Sequence, residues 1–403
     1  MSFLILAQLF LHLIACASCS AAVLPATSQQ IRWTGRAVAN ADGSAVSFDW
    51  GSIQALFTVT GASAVWATLN STFWEEAPVD VGERGSAVRN FMTSGGRAAR
   101  GLQQKEFPKL GVYRVYVNGL RVQDVGFDGI VALPGEGEHM LVSGLNPQRA
   151  YNVSLWYTSD PVYNSWPDLD AGAGCKQSVV SLRTDGQFAA PPPQRVHSML
   201  IIGDSITSGN AMYTPCTSDN ATRCDSSQSY AGRICEAFAL NCTVLTASSK
   251  GLTRNCCDAL NATVPVLANR TFAQNASSLW DWSISTYDAA LIHLGTNDGN
   301  VNAQLFTSTY VALLRHVDSH ARQHGIPIFC AYGPNSATFA PWVQAAIDEV
   351  TALGIRAQLL NFMAAPMDGC GHPGVNGHAA MAHSAAPIIA NSTGWPYVTS
   401  LLG

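Results

Sequence analysis

From Met199 onward the chain alternates short, uninterrupted apolar runs with longer segments of helical period, and few folds accommodate that rhythm. The run MLIIG (199–203) contains no polar residue, as in a strand covered on both faces. SYAGRICEAFAL follows, with Tyr230, Ile234 and Phe238 spaced along one face of a helix. CTVLTAS, YDAALIHL and IPIFCAYGP read as further strands. FTSTYVALLRHVDSHARQHG, closed by Gly325, and APWVQAAIDEVTALG, closed by Gly354, read as helices, and GHAAMAHSAAPII as a last one. Strand–helix alternation predicts an α/β domain with a doubly wound parallel sheet over residues 197–395.

The preceding part of the chain has a different period. Between residues 30 and 185, AVSFDW, IQALFTVTG, HMLVSGL and YNVSLWYTS read as strands without intervening helices, which predicts a β-sandwich. YRVYVNGLRV is the clearest piece: Tyr113, Val115 and Val117 share a face, Asn118-Gly119 turns the chain, and Leu120 and Val122 resume. Glu75 to Lys105 reads as a long loop. TDGQFAAPPPQRV, with three consecutive prolines, predicts a linker over residues 186–196. Two domains also suit a length of 403 residues.

Composition narrows the function classes. Charged residues are 12% of the chain and the net charge is −5, so no basic surface for nucleic acid is expected. Residues 1–22, an apolar run ending in small residues, predict a secretory signal peptide; no Lys or Arg precedes the run, and a short anchor is the competing reading. No stable membrane association is expected. Sequons at Asn70, Asn152, Asn220, Asn241, Asn261, Asn269, Asn275 and Asn391 predict a secreted glycoprotein, extracellular or in a cell wall. Six cysteines between 216 and 257 predict disulfides there, and the nine beyond the signal leave at least one unpaired within the chain. The nine cysteines beyond the signal include no CxxC, so no metal is expected.

Sites in open α/β sheets form at the carboxyl ends of strands. Gly203-Asp204-Ser205, Ser249-Lys250-Gly251 and Gly295-Thr296-Asn297-Asp298 follow three of the predicted strands, and DGCGHPGVNGH (368–378) comes near the end. Acyl transfer needs a nucleophile, a base and donors to the oxyanion. Ser205 suits the first role and a histidine the second. The Ser205 and Gly251 amides and the Asn297 side chain suit the third. A glycine at 251 would allow a substrate to approach the backbone, and an amide at 297 donates without titrating. His372, in a loop before proline, is the better base. His378 and His383 fall on the last helix as packing or surface residues, and His293 lies within a buried strand. Asp204 reads as a tie for its own loop, Asn297 and Asp298 could cap a helix, and Trp280 and Trp282 could stack on sugar or pack at an interface.

GDSIT, the Gly251 segment, GTND and His372-Pro373, in that order, resemble the four blocks of SGNH (GDSL-type) hydrolases. GDSITSGN, SYAGRI, SSKGLTRN, LGTND and GCGHPGVNGHAAMA together resemble carbohydrate esterase family two, over about residues 30 to 395. The resemblance implies a jelly-roll sandwich before an SGNH domain. It implies a secreted acetylxylan-esterase-like hydrolase of acetylated poly- or oligosaccharides that needs no cofactor. It carries over Ser205 as nucleophile, His372 as base and Ser205, Gly251 and Asn297 as oxyanion hole. The superfamily's last block is usually Asp-x-x-His; here Gly369 stands three before His372 and Asp368 four before. Two orienters of the imidazole therefore stay open: the Asp368 carboxylate, completing a triad, or a backbone carbonyl, as in members of this family. Two other functions also stay open: an esterase, lipase or acyltransferase acting on short-chain lipids or small esters, and a non-catalytic carbohydrate-binding matrix protein.

Overall fold

In a computed structural model of the chain, the described residues are 21–73, 111–122, 129–132, 134–161, 175–213, 224–256, 262–284 and 286–403. The predicted signal peptide through residue 20, the Glu75–Lys105 loop, Asn220, Asn261, Cys216 and Cys257 lie outside them.

The first domain comprises β1 (Ala22–Pro25), β2 (Arg32–Thr34), β3 (Val38–Ala39), β4 (Val46–Phe48), β5 (Ile53–Thr60), β6 (Ala64–Phe73), β7 (Gly111–Val117), β8 (Leu120–Arg121), β9 (Ile130–Ala132), β10 (Gly135–Ser143), β11 (Ala150–Tyr157), β12 (Cys175–Thr184) and β13 (Gln187–Ala189). They form two antiparallel sheets, one ordered β10-β6-β12-β4-β3 with β1 beside β12, the other β13-β5-β11-β7-β8 with β2 beside β5 and β9 beside β7. Phe57, Val59, Val115 and Leu155 from one sheet and Val46, Ala67, Leu69 and Leu182 from the other fill the space between them. From Ala55 on, β5 alternates buried Ala55, Phe57 and Val59 with half-buried Leu56, Thr58 and Thr60, as a half-buried strand requires. The hairpin of β7 and β8 turns at Asn118 and Gly119, whose φ of 51° and 80° are the left-handed angles that Asn-Gly supplies. β1 and β13 lie outside the 30–185 span that the sequence suggested. Residues 187–189 pair with β5, so part of the predicted linker is strand.

The second domain is built on β14 (Ser198–Gly203), β15 (Asn241–Thr246), β16 (Ala289–His293), β17 (Ile328–Tyr332) and β18 (Ala357–Asn361). All four pairings are parallel, in the order β15-β14-β16-β17-β18. Among the described residues six helices accompany the sheet: α1 (Ser205–Ser208), α2 (Tyr230–Ala237), α3 (Val264–Leu267), α4 (Ala303–Ser319), α5 (Ala340–Thr351) and α6 (Val375–Thr393). Leu200 and Ile202 pack in one cluster with Tyr310 and Leu314 of α4 and Val343 of α5. Met199 and Ile201 pack in another with Ile234 of α2 and Met381 and Ala385 of α6. Both faces of β14 are thus covered, which is why MLIIG carries no polar residue. α4 stops at Ser319, six residues before Gly325; Gly325, at φ 76°, instead closes a turn whose N–H donates to the Asp318 carboxylate at 2.9 Å.

The domains meet across a polar, buried boundary. The Arg36 guanidinium donates to the Ala268 carbonyl at 2.6 Å and stacks on Trp280 and Trp282, 4.4 and 4.9 Å from their centroids. Asp49 accepts from the Ala273 and Gln274 amides at 2.8 and 2.9 Å. Asp225 takes Arg121 at 3.2 Å and the Tyr213 hydroxyl at 2.6 Å. Trp280 and Trp282 therefore pack at the interface, one of the two roles open for them.

Candidate active site

β14 is the switch point of the parallel sheet, since its two neighbours, β15 and β16, begin the halves that run in opposite directions. A crevice opens at the carboxyl end of such a strand. Gly203 is paired with Thr246 on one side and His293 on the other, so three segments leave the sheet at the same edge: 204–209, 247–251 and 294–298. They carry the predicted blocks.

Ser205 opens α1 and is 4% exposed. Gly203 is required for space: a Cβ there would come within 2.0 Å of Thr207 Oγ1. Asp204 caps the helix, its carboxylate accepting the Ile206 N–H at 3.0 Å. Burial pushes that carboxyl up to about 7, against the Ile206 bond that favours ionisation. Its contacts make it a tie for the Ser205 turn.

His372 reaches Ser205 from the loop between β18 and α6. Its Nε2 lies 2.9 Å from Ser205 Oγ, and its Nδ1 faces the Cys370 carbonyl at 3.5 Å, the outer limit of a hydrogen bond. A carbonyl only accepts, so Nδ1 carries the hydrogen and Nε2 turns its lone pair to the serine hydroxyl. Burial lowers the His372 pKa below its ordinary value, and the Cys370 carbonyl only partly offsets this. The imidazole is therefore neutral near pH 7, as a base must be. The loop doubles back through Gly371, at φ 71°, while the Cys370 amide donates to the Ala211 carbonyl at 2.9 Å and Gly369 to the His372 carbonyl at 2.9 Å.

Asp368 is turned to other work. Its carboxylate accepts the backbone N–H groups of Gly374 at 2.7 Å, Gly377 at 3.0 Å and Asn376 at 3.2 Å. These are the orphan donors at the start of α6. Burial pushes the Asp368 carboxyl up, but the three amides outweigh it and leave the pKa below the ordinary value. The offset of one residue from the usual spacing thus corresponds to a carboxylate spent on a helix terminus, and of the two orienters left open the carbonyl is the one that faces the imidazole.

The other two segments are tied to each other. Asn297, 7% exposed, donates Nδ2–H to the Lys250 carbonyl at 2.9 Å; an amide nitrogen carries two hydrogens, so one remains for a ligand. Asp298 accepts the amides of Leu252 at 2.9 Å and Thr253 at 2.6 Å and the Thr253 hydroxyl at 2.6 Å, fixing the loop after Gly251. The sequence offered Asp298 a helix cap and no part in the chemistry; its signal is only its place beside Asn297. The Gly251 amide donates to Asn255 Oδ1 at 3.3 Å, a long bond. Glycine at 251 is also required by its own loop: a Cβ there would lie 2.1 Å from the Arg254 carbonyl and 2.8 Å from Asp298.

The other three histidines weighed in the sequence have partners elsewhere: His293 and His378 are buried, and His383 is exposed. His293 contacts the Tyr230 hydroxyl at 3.1 Å and the Gly333 carbonyl at 2.7 Å, and burial lowers its pKa to about 4. His378 accepts the Tyr230 amide at 3.2 Å, and burial lowers its pKa to about 3. His383 meets the Gly403 carbonyl at 2.9 Å. Cys235 and Cys242 form a disulfide inside the 216–257 cluster, while Cys175 and Cys330 are buried free thiols. Among the described residues no group of His, Cys, Asp and Glu could hold a metal ion, and no helix is long and apolar enough to cross a membrane.

No family model matches the sequence, and no curated protein matches it. Solved structures do. A family two carbohydrate esterase from Clostridium thermocellum, in complex with cellohexaose, is 19% identical with a TM-score of 0.71, over 91% of this chain and 99% of that one. A family two carbohydrate esterase from Cellvibrio japonicus is 17% identical with a TM-score of 0.73, over 93% and 99%. An acetyl xylan esterase from the rumen bacterium Butyrivibrio proteoclasticus is 16% identical with a TM-score of 0.71, over 93% and 99%. The likeness extends over both domains of this chain.

Proposed function

On a chain that shares its two-domain fold with the family two carbohydrate esterases, the family its motifs resemble, we propose a serine esterase that removes O-acetyl groups from carbohydrate. The observation that carries this reading is the 2.9 Å contact between Ser205 Oγ and a neutral His372 whose far nitrogen faces a carbonyl. His372 Nε2 takes the hydroxyl proton as Ser205 attacks the ester carbonyl. The Ser205 and Gly251 amides and the second Asn297 N–H stabilise the oxyanion. Collapse of the tetrahedral intermediate breaks the bond to the sugar oxygen, which leaves with the proton from His372. Water, deprotonated by His372, then attacks the acetyl-serine, and acetate and free Ser205 result. Every proton passes through one imidazole, and no other group is needed for the balance.

Acetylated carbohydrate is preferred as substrate because the solved relatives of this fold include an acetyl xylan esterase and an esterase bound to a cello-oligosaccharide. Passage through a secretory pathway accords with the sequons and with the Cys235–Cys242 disulfide. Acetate release from acetylated xylan, mannan and cello-oligosaccharides, set beside turnover of p-nitrophenyl acetate and butyrate, tests the reading. Acetate release from at least one polysaccharide is expected. Turnover of the butyrate ester alone points to lipids or small esters, transfer without free acetate to an acyltransferase, and no turnover of any ester to a binding protein.

A further inference from the structure

Asp160, three residues past the end of β11, belongs to the sandwich domain and is fully buried. Its carboxylate accepts the Ser248 amide, at 3.1 Å to one oxygen and 3.3 Å to the other, and the Ser248 hydroxyl at 2.9 Å. Ser248 opens the loop of the second domain that leads to Gly251. The next residue, Ser249, has a φ of 64°, a left-handed angle that a non-glycine residue holds only when its surroundings insist. Lys250, 1% exposed, then presents the carbonyl that takes Asn297 Nδ2–H at 2.9 Å. Two of the three oxyanion donors are therefore set by one stretch of four residues, the Gly251 amide directly and the Asn297 side chain through the Lys250 carbonyl. Asp298 pins the far end of this stretch, at 252–254. Asp160 pins the near end from across the domain boundary.

We propose that Asp160 is a positioning residue for ester hydrolysis: the sandwich domain, through Asp160 and Ser248, aims the Gly251 amide and the Asn297 side chain at the oxyanion. This rests on the esterase reading above. Hydrogen-bond donors act on a developing charge only where they are already placed, and a misplacement of about 1 Å can cost on the order of a hundredfold in rate. Asp49 supplies the contrast. It too is a buried sandwich carboxylate holding two backbone amides across the boundary, but those amides, at Ala273 and Gln274, belong to no segment leaving the carboxyl edge of β14 to β16.

The experiment uses the full chain and p-nitrophenyl acetate, with kcat, KM and Tm for Asp160→Asn, Ser248→Ala and Asp49→Asn. A carboxamide at either position has one carbonyl oxygen where the carboxylate has two, so both variants should lose stability. Asp160→Asn is expected to lower kcat by about tenfold or more with KM within about twofold, while Asp49→Asn keeps kcat within about twofold. Ser248→Ala removes one contact of the same clamp and should lower kcat by about threefold or more without lowering Tm by more than a few degrees. It decides the matter if Asp160→Asn does not fold. Wild-type kcat in Asp160→Asn, or in Ser248→Ala where the former does not fold, overturns the proposal and leaves the esterase reading standing. A wild-type protein without turnover overturns both.

Discussion

The proposed hydrolysis rests on two atoms, Ser205 Oγ and His372 Nε2, and on what faces each of them. Asn297→Ala should lower kcat for acetyl esters by about 10²–10³, the usual cost of one oxyanion donor, and leave KM nearly unchanged. A change in KM alone would make Asn297 a ground-state contact. The His372 pKa lies below its ordinary value because burial disfavours the imidazolium. The proposed base is active when neutral, so kcat/KM should rise with pH along an acidic limb whose midpoint lies below about 6.5. A limb centred above that value would mean that an unseen anion stabilises the charged ring. Asp368 gives the sharpest residue-level contrast. Asp368→Asn should cost less than about tenfold in kcat, against near-complete loss for His372→Ala, whereas a triad carboxylate would cost about 10³–10⁴. Kinetics of the two purified variants, with Tm measured alongside, decide between them.

At the scale of elements, Asp368 matters to α6. Its carboxylate meets three backbone N–H groups at the positive end of a 19-residue helix, so Asp368→Asn should lower stability by about 1 kcal/mol, read as a drop in Tm. Much of the architecture was legible because burial writes itself into period. MLIIG announced β14 through its two covered faces, the alternation of β5 announced a half-buried strand, and Asn118-Gly119 announced the turn from β7 to β8. β18 was not foreseen. AQLLN sits at the edge of the sheet, mixes polar and apolar residues and is mostly half-buried, so its environment imposes no pattern. α4 was extended to Gly325 because helical residues continue past Ser319, yet Ala321 bridges to Tyr287, a long-range pairing invisible in a local window. Of the site, three of the four motif blocks were legible from the predicted strands they follow, and the fourth, at His372, from its own residues, since it follows the unforeseen β18. The clamps that hold them were not: Asp160 and Ser248 are 88 positions apart, and no short spacing signals that they meet.

Across the whole molecule, the two domains are joined by buried charges, and their titration should be felt in stability. Burial pushes the Asp49 carboxyl up to about 7, although the Gln274 and Ala273 amides oppose it. Its ordinary value is 3.8. Between those values the folded chain holds a proton that the unfolded chain has released, so this group's stabilisation is full at low pH and lost as pH rises through about 7. The carboxamide of Asp49→Asn cannot titrate, so the Tm advantage of wild type over this variant should shrink as pH is raised from about 5 to about 8; a gap that widens over that range would contradict the assignment. The wider claim is that both domains serve one nucleophile. The most direct measurement is to quench the wild-type protein in acid during turnover of p-nitrophenyl acetate and map the acetyl group by peptide mass spectrometry. The account predicts acetyl on the peptide at Ser205 Oγ, absent from Ser205→Ala, whose turnover should fall below about a tenth of wild type. Acetyl mapped to another residue, or undiminished turnover by folded Ser205→Ala, would contradict it.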